Sequence, residues 1–190
     1  MMDGKRNNYY ISDLHFGHRN AIEFDKRPFS TVEEMDAALI MRWNRKVKDT
    51  DQVYIIGDFC CRNEKAEEWY LEQLKGRKHL IIGNHDMRLL ENPEAMKYFE
   101  SVDKMRHVMD EGKHICLCHF PIAEWNGFYR KSWHIYGHIH GSKTQVYQYM
   151  RMKERALNAA ACINNYEPCS FKELIQNNYN FYKLEKEMNK

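Results

Sequence analysis

At 190 residues the chain is the size of one ordinary domain, 1–190, long enough to bury a continuous core without disulfides or a structural metal. Its 29 Lys and Arg against 27 Asp and Glu leave a formal charge of +2, which argues against binding carried by a large cationic surface, leaving room for a local basic groove, and against an extended nucleic-acid duplex as partner. No run approaches the roughly 20 apolar residues of a membrane helix, and Met1-Met2-Asp3-Gly4-Lys5-Arg6 lacks the apolar core of a secretory signal, so a cytoplasmic location without membrane partners is expected.

The first strand is expected at Tyr9-Tyr10-Ile11-Ser12, a short β-prone run that opens into the polar loop Asp13-Leu14-His15-Phe16-Gly17-His18. Residues 31–48 carry helical spacing, with Val32, Met35, Leu39, Trp43 and Val47 on one face and Thr31 with Glu34 as a capping box. Gln52 to Ile56 forms the second strand, closed by Gly57-Asp58. A helix follows from Glu64 to about Leu74, with Asn63 as N-cap and Gly76 as its stop. His79 to Ile82 is the third strand and ends in Gly83-Asn84-His85-Asp86. Near-continuous apolar strands alternating with helices predict an α/β layered fold.

In the second half a polar helix or turn is expected over Asn92 to Tyr98, then one peripheral strand from Val102 to Met109. Lys113 to Cys118 is a strand stopped by His119-Phe120-Pro121, and Trp133 to Tyr136 another, leading into Gly137-His138-Ile139-His140-Gly141. The aromatic loop 124–130 lies between them. Residues 142–155 read as a solvated excursion, Ala156 to Cys162 as a small-residue strand, and Ser170 with Glu173 as the cap of a short final helix. The charged residues 183–190 are expected to fray. Cys60, Cys61, Cys116, Cys118, Cys162 and Cys169 lie in or beside apolar segments and are expected to be reduced and mostly buried.

Five expected strand ends carry side chains able to bind metal: Asp13 with His15, Asp58, Asn84 with His85, His119, and His138 with His140. In open α/β sheets ligands collect beyond the carboxyl ends of strands, so these loops should converge. Residues two apart on an extended segment point the same way, which would pair Asp13 with His15 and His138 with His140. Glycine before Asp58, Asn84 and His138 lets the backbone approach closely. A mixture of carboxylate, imidazole and amide suits Mn, Fe, Zn or Ni and does not choose among them.

The ordered series Asp13-x-His15, Gly57-Asp58, Gly83-Asn84-His85-Asp86, His119 and Gly137-His138-x-His140 closely resembles the calcineurin-like metallophosphoesterase family, with motifs covering residues 9–141. Ser12-Asp13-Leu14-His15-Phe16-Gly17-His18 and Arg27-Pro28-Phe29 further resemble a bacterial and phage subgroup of small phosphoesterases. The resemblance implies the layered metallophosphoesterase fold, with central mixed β-sheets flanked by helices. It implies two divalent ions, manganese among the candidates, one held by Asp13, His15, Asp58 and His140 and the other by Asp58, Asn84, His119 and His138. A hydroxide shared by the ions would attack phosphorus, and His85 would protonate the leaving oxygen or steady its charge. Asp86 would orient His85 or cap the following helix.

Outside this set, His79, His107, His114 and His134 are taken as ordinary core or surface residues. His18, Asn20 and Arg27 follow the first strand closely enough to reach a substrate phosphate, with structural roles as the alternative. Trp125, Tyr129 and Arg130 could stack on a base, with loop packing as the alternative. Asn158 is followed by three alanines where relatives often show Asn-x-Gly. The expected activity is phosphodiester hydrolysis on a small or nucleotide-like substrate, because short loops without a cap domain leave an open site. A silent module that keeps the fold for protein recruitment is the alternative, and the presence of His85 with all seven ligands counts against it. A nucleic-acid-binding protein with one structural zinc is a third reading.

Overall fold

Residues 6–188 are described by a computed structural model. Among them the apolar runs become two four-stranded sheets, ordered β1-β2-β3-β4 and β5-β6-β7-β8. The first sheet, of β1 (Asn8–Ile11), β2 (Gln52–Ile56), β3 (Arg77–Ile81) and β4 (Phe99–Asp103), is wholly parallel. The second holds β5 (Met105–Asp110), β6 (Lys113–Cys118), β7 (Trp133–Tyr136) and β8 (Ala156–Asn158), with only β5 antiparallel to its neighbour. This is the expected α/β arrangement with a mixed sheet.

The two sheets pack on one another through Tyr10, Ile56 and Ile81 on one side and Ile115, Leu117, Ile135 and Leu157 on the other. Helix α1 (Arg19–Phe24) follows the β1 loop, and α2 (Val32–Lys46) covers the outer face of the first sheet together with α3 (Glu67–Leu71). Strands covered on both faces have no polar face to show, which is why they read as continuous apolar runs. Helix α2 starts at the expected cap: Thr31 Oγ1 accepts from the Glu34 amide at 3.1 Å, while Glu34 reaches back to the Ser30 amide at 2.7 Å. Trp43 is fully buried on its inner face, and its indole donates to Lys75 O at 2.9 Å. Helices α4 (Met87–Leu90) and α5 (Pro93–Met96) follow β3, α5 being capped by Asn92.

Five expectations change. The peripheral strand over 102–109 is two strands, because the chain leaves the first sheet after Asp103 and enters the second at Met105. No Gly or Pro marks that corner; Arg106 clamps it by bonding Ser101 Oγ and Asp103 Oδ2 at 2.7 and 2.8 Å. The helix expected over 64–74 is regular only at Glu67–Leu71, and Asn63 is not its cap but donates to Lys65 O and Glu67 Oε1. The excursion 142–155 contains α6 (Gln145–Met150), capped by Thr144 and anchored by buried Tyr147 and Met150. The strand over 156–162 stops at Asn158, where the side chain accepts from the Ala160 amide at 2.9 Å and turns the chain into a 3₁₀ turn. The final helix α7 (Phe171–Met188) is long, and residues 189 and 190 of the segment expected to fray lie outside the described residues. Among the described residues no helix is long and apolar enough to cross a membrane.

Candidate metal centre

The residues singled out in the sequence sit just beyond the carboxyl ends of β1, β2, β3, β6 and β7, as expected. The pairing of Asp13 with His15 and of His138 with His140 has a different cause from strand alternation, since β1 ends at Ile11 and β7 at Tyr136. Asp13, His15, Asp58, His138 and His140 all adopt left-handed backbone, with φ of 54, 52, 57, 71 and 50°. That conformation costs about 1–3 kcal/mol for each non-glycine residue, and such strain concentrates at functional sites. The neighbouring loops hold it in place: the Asp13 amide donates to Gly57 O and the His15 amide to Asp58 O, each at 3.0 Å.

Asp13, His15, Asp58 and His140 each bring one ligand atom to within 4.8 Å of the others. The Nε2 atoms of His15 and His140 face each other at 3.2 Å, and His140 Nε2 lies 3.3 Å from Asp13 Oδ1. Burial pushes His15 down to about 3, so its imidazole is a neutral donor of electrons at ordinary pH. Burial would raise Asp13 as well, but the hydrogen bond and charge of His140 hold it below the usual carboxylate range. The same burial would lower His140, yet its bonds to Asp13 and Asp25 carry it up to about 10.

A second group meets on the other side of Asp58. Asn84 Oδ1 lies 3.0 Å from His119 Nε2 and 2.9 Å from His138 Nδ1, and His119 Nε2 lies 3.5 Å from Asp58 Oδ2. His119 Nδ1 is taken by Ile56 O at 2.9 Å, which fixes the tautomer and aims Nε2 at Asp58. Two carboxylates, four imidazoles and one amide therefore converge, a donor set that fits divalent ions of intermediate hardness.

What holds these loops was only partly legible. A Cβ on Gly83 would collide with Asp58 Oδ1 and the Asp58 amide, and one on Gly137 with Asp13 Oδ2, so both glycines are required by close approach. Asp86 stands at the N-cap position of α4, but its side chain makes no capping bond there and none to His85. Fully buried, it accepts from the amides of Gly83, Asp58 and Phe59 at 2.7, 2.9 and 2.9 Å, tying the β2 and β3 loops together. Asp25, unremarked in the sequence, accepts from His140 Nδ1 at 2.8 Å. It is paired with Arg27 at 2.8 Å, and Arg27 also donates to Leu14 O and Asp13 O. Arg27 is thus a buried brace rather than a contact for substrate phosphate. The only sequence signal was an Asp and an Arg two apart beyond the first loop. Asn158 donates to His140 O at 2.8 Å, so the residue ahead of the three alanines supports the last ligand loop.

His85 is exposed at the rim, its amide bonded to Asp58 Oδ1 at 2.9 Å and its Nδ1 3.7 Å from Cys61 Sγ. With His15, His18, Asn20, Cys61, Arg62 and His140 it lines a cavity of about 270 Å³. His18 and Asn20 therefore stand beside the cluster as expected. All six cysteines are free, but Cys61 is only partly buried and belongs to this wall rather than to the core. Trp125 is buried against Phe128 and His134, whereas Tyr129 is exposed and donates to Glu124, and Arg130 lines a separate cavity with His107 and His114, so packing accounts for Trp125 and not for Tyr129. His134 is a satisfied core residue, its ring bonded to Cys116 O and to the Ile122 amide, and His79 bonds Ser101 and Gln52.

Comparison with known proteins agrees with this geometry. An uncharacterized protein of Methanocaldococcus jannaschii is 35% identical over 170 residues, 88% of this chain and 89% of the relative. The gene 66 protein of Mycobacterium phage L5 is 33% identical over 132 residues, 60% of this chain and 63% of its own length. A solved protein of unknown function from Aquifex aeolicus superposes with a TM-score of 0.70 at 26% identity, covering 90% of this chain and 99% of that one. The family model of calcineurin-like phosphoesterases matches residues 9–161. With an Asp and His cluster able to hold metal at its sheet ends, this chain belongs to the calcineurin-like phosphoesterase family, whose chemistry is metal-dependent hydrolysis of phosphoesters.

Proposed function

We propose that the chain is a two-ion phosphodiesterase acting on a small, nucleotide-like substrate. The observation that carries this reading is the position of Asp58, whose carboxylate belongs to both donor groups, within 3.7 Å of His15 Nε2 and 3.5 Å of His119 Nε2. Asp13, His15 and His140 complete one group, and Asn84, His119 and His138 the other. Bound divalent ions, of manganese, iron, zinc or nickel, would supply an acidified water and positive charge for the phosphoryl oxygens.

The chain's own groups do the rest. Asp58 spaces the two groups, and Ile56 O keeps the His119 Nε2 lone pair directed inward. His85 has its backbone fixed by Asp58 Oδ1 and its Nδ1 against the Cys61 thiol, which leaves Nε2 to hand a proton to the leaving oxygen. His18 lines the same cavity and would meet a phosphoryl oxygen. Access from more than one side supports a diester over a monoester, since a second substituent on phosphorus has room.

The test is metal content and turnover on the same samples. Two ions per chain and cleavage of chromogenic diesters are expected, and Asp58→Asn should lower the content itself. One tightly held zinc without hydrolysis, or a loaded protein that is inert on mono- and diesters, would overturn the proposal.

A further inference from the structure

Next to the cavity that holds His85 lies another, of about 510 Å³, on the His138 side, lined by Phe24, Pro121, Ile139 and Val146 and by Asp25, Ser142 and Thr144, together with His138 and His140. Phe24 and His140 line both, so they form the wall between. The His85 side adds His18, Asn20, Cys61 and Arg62; on the His138 side apolar groups stand among the polar side chains of Asp25, Ser142 and Thr144, and the surface continues into Phe120, whose ring lies 4.8 Å from that of His138.

That hydrocarbon is left open to water. Phe24 is 74% exposed, Phe120 45% and Val146 43%, although Phe120 follows the buried His119 and Val146 precedes the buried Tyr147. Each open apolar face is worth about 25 cal/mol per Å² to whatever covers it, and here the cover must lie next to His138 and His140, one from each donor group. Resting on the phosphodiesterase reading, we infer that this shelf receives the group retained on phosphorus, and that this group is flat and apolar on its faces, as a nucleobase or an aryl ring is. Hydrolysis of a diester consumes one water, breaks one P–O bond and leaves the other ester intact. The departing oxygen belongs beside His85, so the ester that stays is the one that extends to the His138 side. A monoester has nothing to place there.

Three substrates that share p-nitrophenolate as leaving group isolate the retained group: p-nitrophenyl phenyl phosphate, p-nitrophenyl methyl phosphate and p-nitrophenyl phosphate. For the metal-loaded wild type, kcat/KM should favour the phenyl ester over the methyl ester by about tenfold, chiefly through KM, the range that one ring-on-ring contact provides. Phe24→Ala should cut this ratio to roughly threefold or less, and Val146→Ser, on a separate helix, should narrow it. Calorimetric binding of diphenyl phosphate against dimethyl phosphate should give the same order without turnover. An unchanged ratio in both variants, or best turnover on the monoester, would overturn the shelf while leaving a phosphoesterase in place. Failure to cleave any of the three would overturn the phosphodiesterase reading and the shelf with it.

Discussion

The loops after β3 and β7 carry comparable sequences, each a glycine followed by ligand-type side chains, and a carboxylate takes a main-chain amide in both, yet they differ in strain and in how widely their support is spread. The β3 loop, Gly83 to Asp86, lacks a left-handed residue and is fixed through its main chain, with the buried Asp86 carboxylate gathering three amides from two loops. The β7 loop, Gly137 to Gly141, bends through left-handed His138 and His140 and is fixed from three other segments, with Asp13 accepting from the His138 amide, Asp25 bonding the His140 ring and Asn158 donating to His140 O. One loop stores little strain and depends chiefly on the Asp86 carboxylate, with Asp58 Oδ1 holding the His85 amide besides. The other stores strain and spreads its support over several residues, so damage to it should be graded.

The most severe break is expected from Asp86→Ala, which strands three buried amides. Each unmet buried donor costs about 1–3 kcal/mol, and urea unfolding should show a loss of several kcal/mol together with reduced metal content. If Asp86→Ala lowered neither, the account of the β3 loop as held chiefly by Asp86 would fail. Gly83→Val should act in the same direction, because its side chain occupies the space of Asp58 Oδ1. Within the same loop His85→Ala separates chemistry from support. Its kcat should fall by roughly 10²–10⁴ while stability and the number of bound ions stay at the wild-type level, measured by mass spectrometry of the intact protein.

A pH titration reaches the floor of the β7 side. His134, a residue of β7, is fully buried, donating to Cys116 O and accepting from the Ile122 amide, and burial pushes its pKa from 6.5 down to about 4. The unfolded chain binds this proton first, so stability is complete above pH 6.5 and falls as the pH drops to about 4. The loss from this group should be about 3 kcal/mol by the usual conversion of a pKa difference, and His134→Gln should flatten that part of the curve. A slope that survives the substitution would assign it elsewhere.

The smallest change is expected from Asp25→Asn, which removes the carboxylate behind His140 but keeps a hydrogen-bond acceptor. Loss of such an outer partner weakens metal binding by about 10–100-fold. Calorimetry should place that loss in one of the two binding events and leave the other near its wild-type value. Equal weakening of both would show that the two donor groups are coupled more tightly than their separate supports suggest.

Elements whose pattern is local were legible. Helix α2 follows from its apolar spacing and its Thr31 cap, and β2, β3 and β6 from runs that end at Gly57, Ile82 and His119. Misreadings arose where a distant partner overrode the local signal. The corner at Lys104 is made by Arg106 closing on Ser101 and Asp103, and α6 exists because Tyr147 and Met150 find a core that the sequence does not display. Arg27 read as a phosphate contact because an arginine near a metal motif fits that role. Its actual partners are the carbonyls of residues 13 and 14 and the carboxylate of Asp25, contacts that exist only once the loop has closed.

The sequence by itself determined the type of fold, the order of the ligand-bearing strand ends and the family, because apolar periodicity and the spacing of Asp, Asn and His residues are properties of the chain. Only the tertiary structure decided how those side chains are aimed. Asp58 at the junction of two donor groups, Asp86 as a brace, Asp25 behind His140 and the open shelf beside His138 all depend on loops from different strands meeting, and such meetings are fixed by packing and hydrogen bonds between residues far apart in the chain.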